Sequence, residues 1–167
     1  MNLHELNTLP VVPLREALFN CCGSKRWVDK MMDFFPVHDK ENLFERAREA
    51  WEDCTEADWL EAFAHHPKIG DLNSLKKKFA ATAQWAAGEQ GSVAVADEAT
   101  LQALAAGNDA YEEKFGFIFI VCATGKSADE MLSLLQKRLP NRREVEIRNA
   151  MEEQYKITCL RLEKLLQ

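Results

Sequence analysis

The stretch KENLFERAREAWEDC, residues 40–54, decides the fold class of this chain. Apolar side chains recur in it at three- and four-residue intervals, at Leu43, Phe44, Ala47 and Trp51. This spacing places them on one face of an α-helix, while the charged residues between them fall on the opposite face. Asp39, immediately before the stretch, is a residue type that caps helix N-termini. The pattern therefore predicts an amphipathic helix that begins after Asp39 and packs one face against a core.

Helical spacing continues on the amino-terminal side of this stretch. Residues 14–22 are apolar with charges between them, and Gly23 is a candidate C-cap for the helix that they form. Ser24 can cap a second helix, which Pro36 stops because proline has no backbone N–H to donate. Two predicted helices thus precede the one at 40–54.

Helical spacing also continues on the carboxyl-terminal side. Thr55 and Asp58 resemble a capping box for a helix that runs through Phe63. Further helices are predicted over residues 75–90, after Asp97, after Ser127 and after Asn141. Most of the chain is therefore expected to be helical.

The stretch FGFIFIVCA, residues 115–123, has the β-branched and aromatic content of a buried strand. An isolated strand has no partner in a chain that otherwise lacks strand patterns. We therefore interpret this segment as the buried start of a helix or as an irregular wall. No internal repeat, low-complexity tract or linker divides the sequence, so the prediction is a single all-α domain, a helical bundle over residues 1–167.

Composition narrows the class of protein. With 167 residues, 47% of them hydrophobic, the chain can bury a core without metal or disulfide staples. The net charge of −6 argues against a nucleic-acid partner, because such proteins neutralise phosphates with an excess of Lys and Arg. The five cysteines are odd in number and form no C-x-x-C pair, which indicates reduced thiols in the cytoplasm.

The sequence carries no signal for export or for a membrane. Its longest apolar run, FIFIVCA at residues 117–123, is far shorter than the roughly 20 residues that span a bilayer. The amino-terminal sequence lacks a basic region followed by a long apolar one, so no signal peptide is expected. We therefore expect a soluble, cytoplasmic protein with no membrane partner.

The stretch HHPKIGD, which begins at His65, is the first candidate for chemistry. Pro67 ends the preceding helix, because the residue before a proline is pushed out of the α region. His66 follows Trp59 and Phe63 at helical spacing, so its imidazole points toward the interior and His65 points elsewhere. A partly buried imidazole can act as an acid or a base near neutral pH. The alternative is a helix-end histidine that is solvated or bonded locally, and a metal pair is disfavoured because adjacent histidines do not share a helix face.

Polar residues elsewhere are candidates for a ligand site. Glu89 and Gln90 follow the small residues Ala86 and Ala87, which leave room for a ligand, although a solvated glutamate is the alternative. Arg161 lies on an apolar stripe of the last predicted helix, so its guanidinium needs an anion. That anion is either a substrate carboxylate, which a guanidinium binds with two hydrogen bonds, or a structural partner in the protein. The other alternative is that the side chain snorkels, with its apolar stem buried and its charged end in solvent. With the imidazole described above, these groups suit an anionic small molecule.

Several motifs in a fixed order carry a resemblance to a known family. They are His66-Pro67, Glu89-Gln90, the block N-x-x-Y-x-x-K-F-G-F at 108–117 and the ending E-x-x-x-I-x-x-x-R-L at 153–162. In this order they resemble the OHCU decarboxylase family, whose members release carbon dioxide from 2-oxo-4-hydroxy-4-carboxy-5-ureidoimidazoline to give (S)-allantoin in urate degradation. The resemblance covers nearly the whole chain. It implies an all-helical lyase that uses no cofactor and no metal and forms a homodimer.

The resemblance also implies a set of site residues. His66 is expected to be the proton donor, and Glu89 a second catalytic or positioning group. The remaining residues expected to contact the substrate are Pro67, Ala86, Ala87, Gly88, Gln90, Phe119, Ile120, Val121, Cys122, Ala123 and Arg161. Two positions depart from the family pattern, because many members have serine where Ala86 stands and proline where Ile118 stands. The first departure removes a hydroxyl that could contact the substrate. The second is expected to alter the backbone of the apolar segment 115–123 and to leave the proposed acid and base unchanged.

Two other classes of function stay open on the residues alone. A helical hydrolase could use His66 and Glu89 to activate water against a ureide ring. A non-catalytic interaction module would use the same polar residues structurally and its acidic surface to bind a partner. The product formed from the substrate named above distinguishes these three classes.

Overall fold

The computed structural model describes residues 1–66, 73–77, 79 and 98–167. Within these ranges the helices are, in chain order, α1 (Leu3–Thr8), α2 (Val11–Cys21), α3 (Lys25–Phe34), α4 (Lys40–Glu52), α5 (Glu56–Ala64), α6 (Glu98–Phe115), α7 (Ala128–Arg138) and α8 (Arg143–Leu165). Residues 73–77 are helical as well, and the described part of the chain contains no strand. This confirms the predicted all-α class. Among the described residues, no helix combines the length and the apolar character that crossing a bilayer requires.

The Cα positions divide the chain into two compact units. The first comprises Met1–His66 and Asn149–Gln167, and the second comprises Pro67–Arg148. Helix α8 therefore begins in the second unit and continues in the first. A single domain over residues 1–167 remains a prediction.

The predicted capping residues begin their helices as expected. Ser24, Asp39 and Ser127 each accept, through the side chain, a hydrogen bond from the backbone N–H three residues later. Thr55 and Asp58 form the capping box of α5. Such caps satisfy N–H groups that have no partner inside the helix, which is why these residue types mark helix starts.

Two features near the amino terminus differ from the prediction. Helix α1 is absent from the predicted set, and it starts with its own capping box between Asn2 and Glu5. The C-cap of α2 is Cys22, with φ −147° and ψ 115°, rather than Gly23. Gly23 is needed for another reason, since a Cβ at this position would lie 2.8 Å from atoms of His65. Glycine therefore allows the end of α5 to approach the backbone that follows α2.

Helix α4 buries the face that its sequence predicts. Leu43, Ala47 and Trp51 are buried, whereas Phe44 is half-buried at the edge of that face. The indole Nε1–H of Trp51 donates to the backbone oxygen of Met151 at 2.9 Å. A buried indole needs such an acceptor, because an unpaired N–H in a core is costly. The bond joins α4 to α8.

In the second unit, residues 116–127 run between α6 and α7 without helix or strand. Of the two interpretations of FGFIFIVCA, the irregular wall is therefore confirmed, and the helix start is wrong. Phe117 and Ile120 are buried, and the ring of Phe119 lies edge-on to that of Tyr111 with centroids 5.2 Å apart. Aromatic packing thus replaces backbone pairing as the support for this segment.

A buried polar cluster also supports the segment. Glu146 of α8 is 0% exposed. Its carboxylate accepts hydrogen bonds from Tyr111 Oη at 2.6 Å, Arg138 Nε at 2.7 Å and Asn141 Nδ2 at 2.9 Å. Arg138 also donates from Nη1 to the backbone oxygen of Ile120 at 2.6 Å. We call these five residues the Glu146 cluster, and it fixes the irregular segment to three helices.

Glu146→Gln is expected to lower the free energy of unfolding by roughly 3 kcal/mol, because it removes the charge that compensates a largely buried Arg138. Urea unfolding followed by far-ultraviolet circular dichroism measures the change. Glu144→Gln is the matched control on an exposed position of the same helix, with an expected change below about 0.5 kcal/mol. Equal unfolding midpoints for the two variants would contradict a stabilising role for the cluster.

Candidate active site

His66 lies immediately beyond the end of α5. The helix ends at Ala64, and its last turn is tightened by hydrogen bonds from His65 N–H to Ala62 O at 3.2 Å and from His66 N–H to Phe63 O at 3.1 Å. Such short-range bonds are a common way to satisfy the last carbonyls of a helix. His66 is half-buried and His65 is exposed, as the helical spacing predicts.

The two adjacent imidazoles have different surroundings. The ring of His65 packs edge-on against Phe19, with centroids 4.9 Å apart, and its atoms occupy the space left by Gly23. His66 instead reaches α8, where its Nε2 is hydrogen-bonded to Oε1 of Gln154. The alternative of a helix-end histidine bonded only to its neighbours is therefore wrong for His66.

Gln154 is a residue of this site that the sequence reasoning missed. Its side chain is fully buried, and its Nε2 donates to Thr158 Oγ1 at 3.2 Å. Gln154, Thr158 and Arg161 are spaced at i, i+4 and i+7, so they share one face of α8. That spacing, read back from Arg161, is the sequence signal that could have found Gln154.

Arg161 is a half-buried cation on the same face of α8. Its Nη1 donates to the backbone oxygen of Cys21 at 3.4 Å. Within the described ranges, no carboxylate lies at ion-pair distance from its guanidinium. Burial raises the pKa of Cys21 to about 11, and the positive charge of Arg161 partly opposes this rise. The structural ion pair considered for this arginine is thus not found in the described residues.

The surroundings of His66 keep its imidazole neutral. Burial lowers the pKa of His66 below its ordinary value, and the hydrogen bond with Gln154 partly opposes this by raising it. The positive charge of Arg161 and the electrostatic interaction with His65 lower the pKa of His66 further. At neutral pH the ring therefore carries one proton, and it can take up a second one when an anionic ligand arrives.

The predicted contact segment from Phe119 to Ala123 belongs to the second unit. Several of its carbonyl oxygens already accept hydrogen bonds: Ile120 from Arg138, Cys122 from Lys126 Nζ at 2.7 Å, and Ala123 from Lys126 N at 3.1 Å. Among the described residues, none donates to the carbonyls of Phe119 and Val121. These two carbonyl oxygens can therefore accept from another donor.

The remaining predicted site residues lie outside the described residues. They are Pro67, Ala86, Ala87, Gly88, Glu89 and Gln90. Their roles stay predictions. In the part of the chain that is described, no group of three or more His, Cys, Asp or Glu side chains could hold a metal ion.

Comparison with known proteins gives consistent similarities. A family model described as OHCU decarboxylase matches residues 7–163. The chain is 41% identical over 149 residues to the uric acid degradation bifunctional protein TTL of Arabidopsis thaliana. This match covers 87% of this chain and 45% of that protein. It is 24% identical to the 2-oxo-4-hydroxy-4-carboxy-5-ureidoimidazoline decarboxylase of Haloferax volcanii, covering 97% of this chain and 94% of the relative.

A solved structure is also similar. The crystal structure of OHCU decarboxylase in the presence of (S)-allantoin has a TM-score of 0.70 with this chain at 38% sequence identity. The match covers 89% of this chain and 95% of that one. The chain thus corresponds to most of the Haloferax protein and of this crystallised protein, but it spans less than half the length of the Arabidopsis protein.

Proposed function

The chain belongs to the OHCU decarboxylase family, and from this premise we propose that it converts 2-oxo-4-hydroxy-4-carboxy-5-ureidoimidazoline to (S)-allantoin and carbon dioxide. The observation that carries the proposal is the half-buried Arg161 guanidinium, which has no carboxylate partner among the described residues. Its positive charge also lowers the pKa of His66, whose imidazole is neutral at neutral pH. A cation beside an acid–base group suits a substrate that carries a carboxylate.

The names of the relatives support a decarboxylase. The chain covers 94% of a relative named as a decarboxylase, and 45% of one named as a bifunctional protein of uric acid degradation. A ring hydrolase or a non-catalytic module has no comparable support.

The chemistry asks little of the protein beyond positioning and one proton. Breaking the bond to the carboxylate releases carbon dioxide and leaves an electron pair on the ring carbon. The adjacent C=N group accepts this pair: a double bond forms to the ureido-bearing carbon and the C=N electrons move to the ring nitrogen, so no metal or cofactor is needed as an electron sink. The hydroxyl on the carbon that lost carbon dioxide then becomes the ring carbonyl, as its proton passes to that ring nitrogen. One further proton must reach one face of the ureido-bearing carbon to give the (S) product.

We assign the steps as follows. Arg161 binds oxygens of the anionic substrate, and Glu89 orients the substrate and repels its carboxylate. The substrate's negative charge raises the pKa of His66, reversing the effect of burial, so the imidazole takes up a proton on binding. His66 then delivers this proton to one face of the ureido-bearing carbon, next to the carbon that has lost carbon dioxide, and the carbonyls of Phe119 and Val121 accept from the ureido and ring amides.

The experiment that tests the proposal generates the short-lived substrate from urate with urate oxidase and hydroxyisourate hydrolase. Allantoin chirality is then followed by circular dichroism with and without the protein. Faster appearance of the (S) form is expected. A linear ring-opened product would instead indicate a hydrolase, and an unchanged trace would indicate a non-catalytic module. EDTA is expected to leave the rate unchanged, and a loss of activity would contradict the metal-free mechanism.

The proposal includes a cytoplasmic homodimer and a single domain over residues 1–167. The family resemblance supports the dimer. None of the five cysteines, all of which lie in the described ranges, forms a disulfide, which suits a reducing compartment. Sedimentation equilibrium measures the oligomeric state, and a monomer at assay concentration would contradict the dimer.

A further inference from the structure

Gln154 is a buried amide whose hydrogen bonds are fixed at both ends. Its Nε2 donates to Thr158 Oγ1 at 3.2 Å, and the Thr158 hydroxyl donates to the backbone oxygen of Gln154 at 3.0 Å. Because the single hydroxyl proton is committed to the backbone, Thr158 Oγ1 acts toward the amide as an acceptor.

This commitment decides which end of the amide faces His66. The NH₂ group of Gln154 points to Thr158, so its oxygen Oε1 points to Nε2 of His66. An amide oxygen only accepts hydrogen bonds, and therefore Nε2 of His66 carries the proton. In the neutral ring, the lone pair then belongs to Nδ1.

We propose that Gln154 is a positioning residue that holds His66 in the Nε2–H tautomer, so that Nδ1 is the atom that exchanges a proton with the substrate. The proposal deepens the proposed function and rests on it for the substrate. When the anionic substrate binds, the added proton goes to Nδ1. Nδ1–H then passes this proton to the ureido-bearing ring carbon, while the hydroxyl on the carbon that has lost carbon dioxide becomes the ring carbonyl and its proton passes to the ring nitrogen, and the imidazole returns to its neutral Nε2–H form.

An amide suits this task better than a carboxylate. A glutamate at the same place would also accept from Nε2–H, but its charge would stabilise the imidazolium before substrate arrives. Among the described residues, the charged and titratable groups that act on His66 are Arg161 and His65, and both oppose its protonation. The Cys22 thiol touches Thr158 rather than the imidazole and stays neutral, because burial raises its pKa to about 12. Gln154 thus fixes the tautomer without charging the ring.

The tautomer can be measured without substrate. Long-range ¹H–¹⁵N correlation spectra of the ¹⁵N-labelled full chain distinguish protonated from unprotonated ring nitrogens, and the spectrum of His66→Gln identifies the signals of His66. We expect a protonated Nε2 and an unprotonated Nδ1 in the neutral ring. In Gln154→Leu the two tautomers are expected to mix, whereas Gln136→Leu, the same change at an exposed glutamine of α7, leaves the ring signals unchanged. A protonated Nδ1 in the unmodified chain would overturn the proposal.

Gln154→Glu provides a second variant if Gln154→Leu does not fold. It retains the Nε2–H tautomer, and its carboxylate is expected to raise the pKa of His66, seen as an upward shift of the ring titration. A pKa of His66 that does not move would contradict a direct bond between the two side chains. If Gln154 were merely structural, replacing it would change neither the tautomer of His66 nor the titration of its ring.

Kinetics connect the tautomer to turnover. Gln154→Leu is expected to lower kcat by about tenfold to a hundredfold, because part of the protein then holds the proton on the wrong nitrogen, while KM changes by less than about twofold. An unchanged kcat would overturn the positioning role. If the unmodified chain shows the Nε2–H tautomer but forms no (S)-allantoin, the proposed function fails and the tautomer assignment stands, so the two failures are distinguishable.

Discussion

His66→Ala is expected to lower the rate of enzymatic (S)-allantoin formation by about 10²- to 10⁴-fold, the usual contribution of a positioned acid or base. The variant removes the imidazole that takes up a proton when the anionic substrate binds. Binding itself depends mainly on other groups, so KM is expected to change much less than kcat. Circular dichroism of the allantoin formed from freshly generated substrate measures the rate.

His65→Ala is the matched control for this variant. Both changes affect stability modestly: the first leaves the buried Gln154 oxygen without its donor, at about 1–3 kcal/mol, and the second loses a ring contact with Phe19, at about 1 kcal/mol. Far-ultraviolet circular dichroism at 25 °C should therefore show a folded chain in each case, whereas only His66→Ala loses turnover. A large loss in His65→Ala with an active His66→Ala would mean that the proton donor is the other imidazole.

The helices and their starts could be predicted because their causes are local. The face of α4 and the caps at Ser24, Asp39 and Ser127 depend on residues three or four positions apart. The role of Gly23 could not be predicted, since it depends on His65 approaching from a distant part of the chain. Local patterns thus predict where helices lie along the sequence, but they do not predict which residues of different helices contact each other.

The same limit explains what sequence reasoning found of the candidate site. His66 and Arg161 stand out because each lies on a stripe whose period can be read along one helix. Gln154 meets His66 across 88 positions, and no periodicity reports such a contact. The Glu146 cluster is a similar case, because the charge of Arg138 is compensated by a carboxylate on another helix.

Arg161→Met is expected to reduce kcat/KM by about a hundredfold or more, mostly through KM, because it removes the group proposed to bind the substrate's oxygens. Truncating one partner of a buried, hydrogen-bonded charge pair costs about 2–5 kcal/mol of binding free energy. Methionine retains much of the apolar volume of the side chain, so the fold is expected to persist. Arg148→Met, at an exposed position of the same helix, is the control and should leave KM unchanged.

Arg161 also has an effect on His66 that can be measured without substrate. Its positive charge is one of the causes that lower the pKa of His66, so Arg161→Met should move that pKa upward, toward the ordinary value. At any pH near the pKa of His66, a larger fraction of the imidazole is then protonated in the substrate-free protein. Titration of the ring signals by nuclear magnetic resonance measures the shift.

Arg161→Lys separates the charge of this residue from its shape. Lysine keeps a positive charge near the imidazole, so the pKa of His66 should stay low, but it lacks the planar fork that binds a carboxylate with two hydrogen bonds. We therefore expect KM to rise in both variants and the pKa of His66 to rise only in Arg161→Met. An unchanged KM in both would remove Arg161 from substrate binding, and with it the observation on which the decarboxylase mechanism most depends.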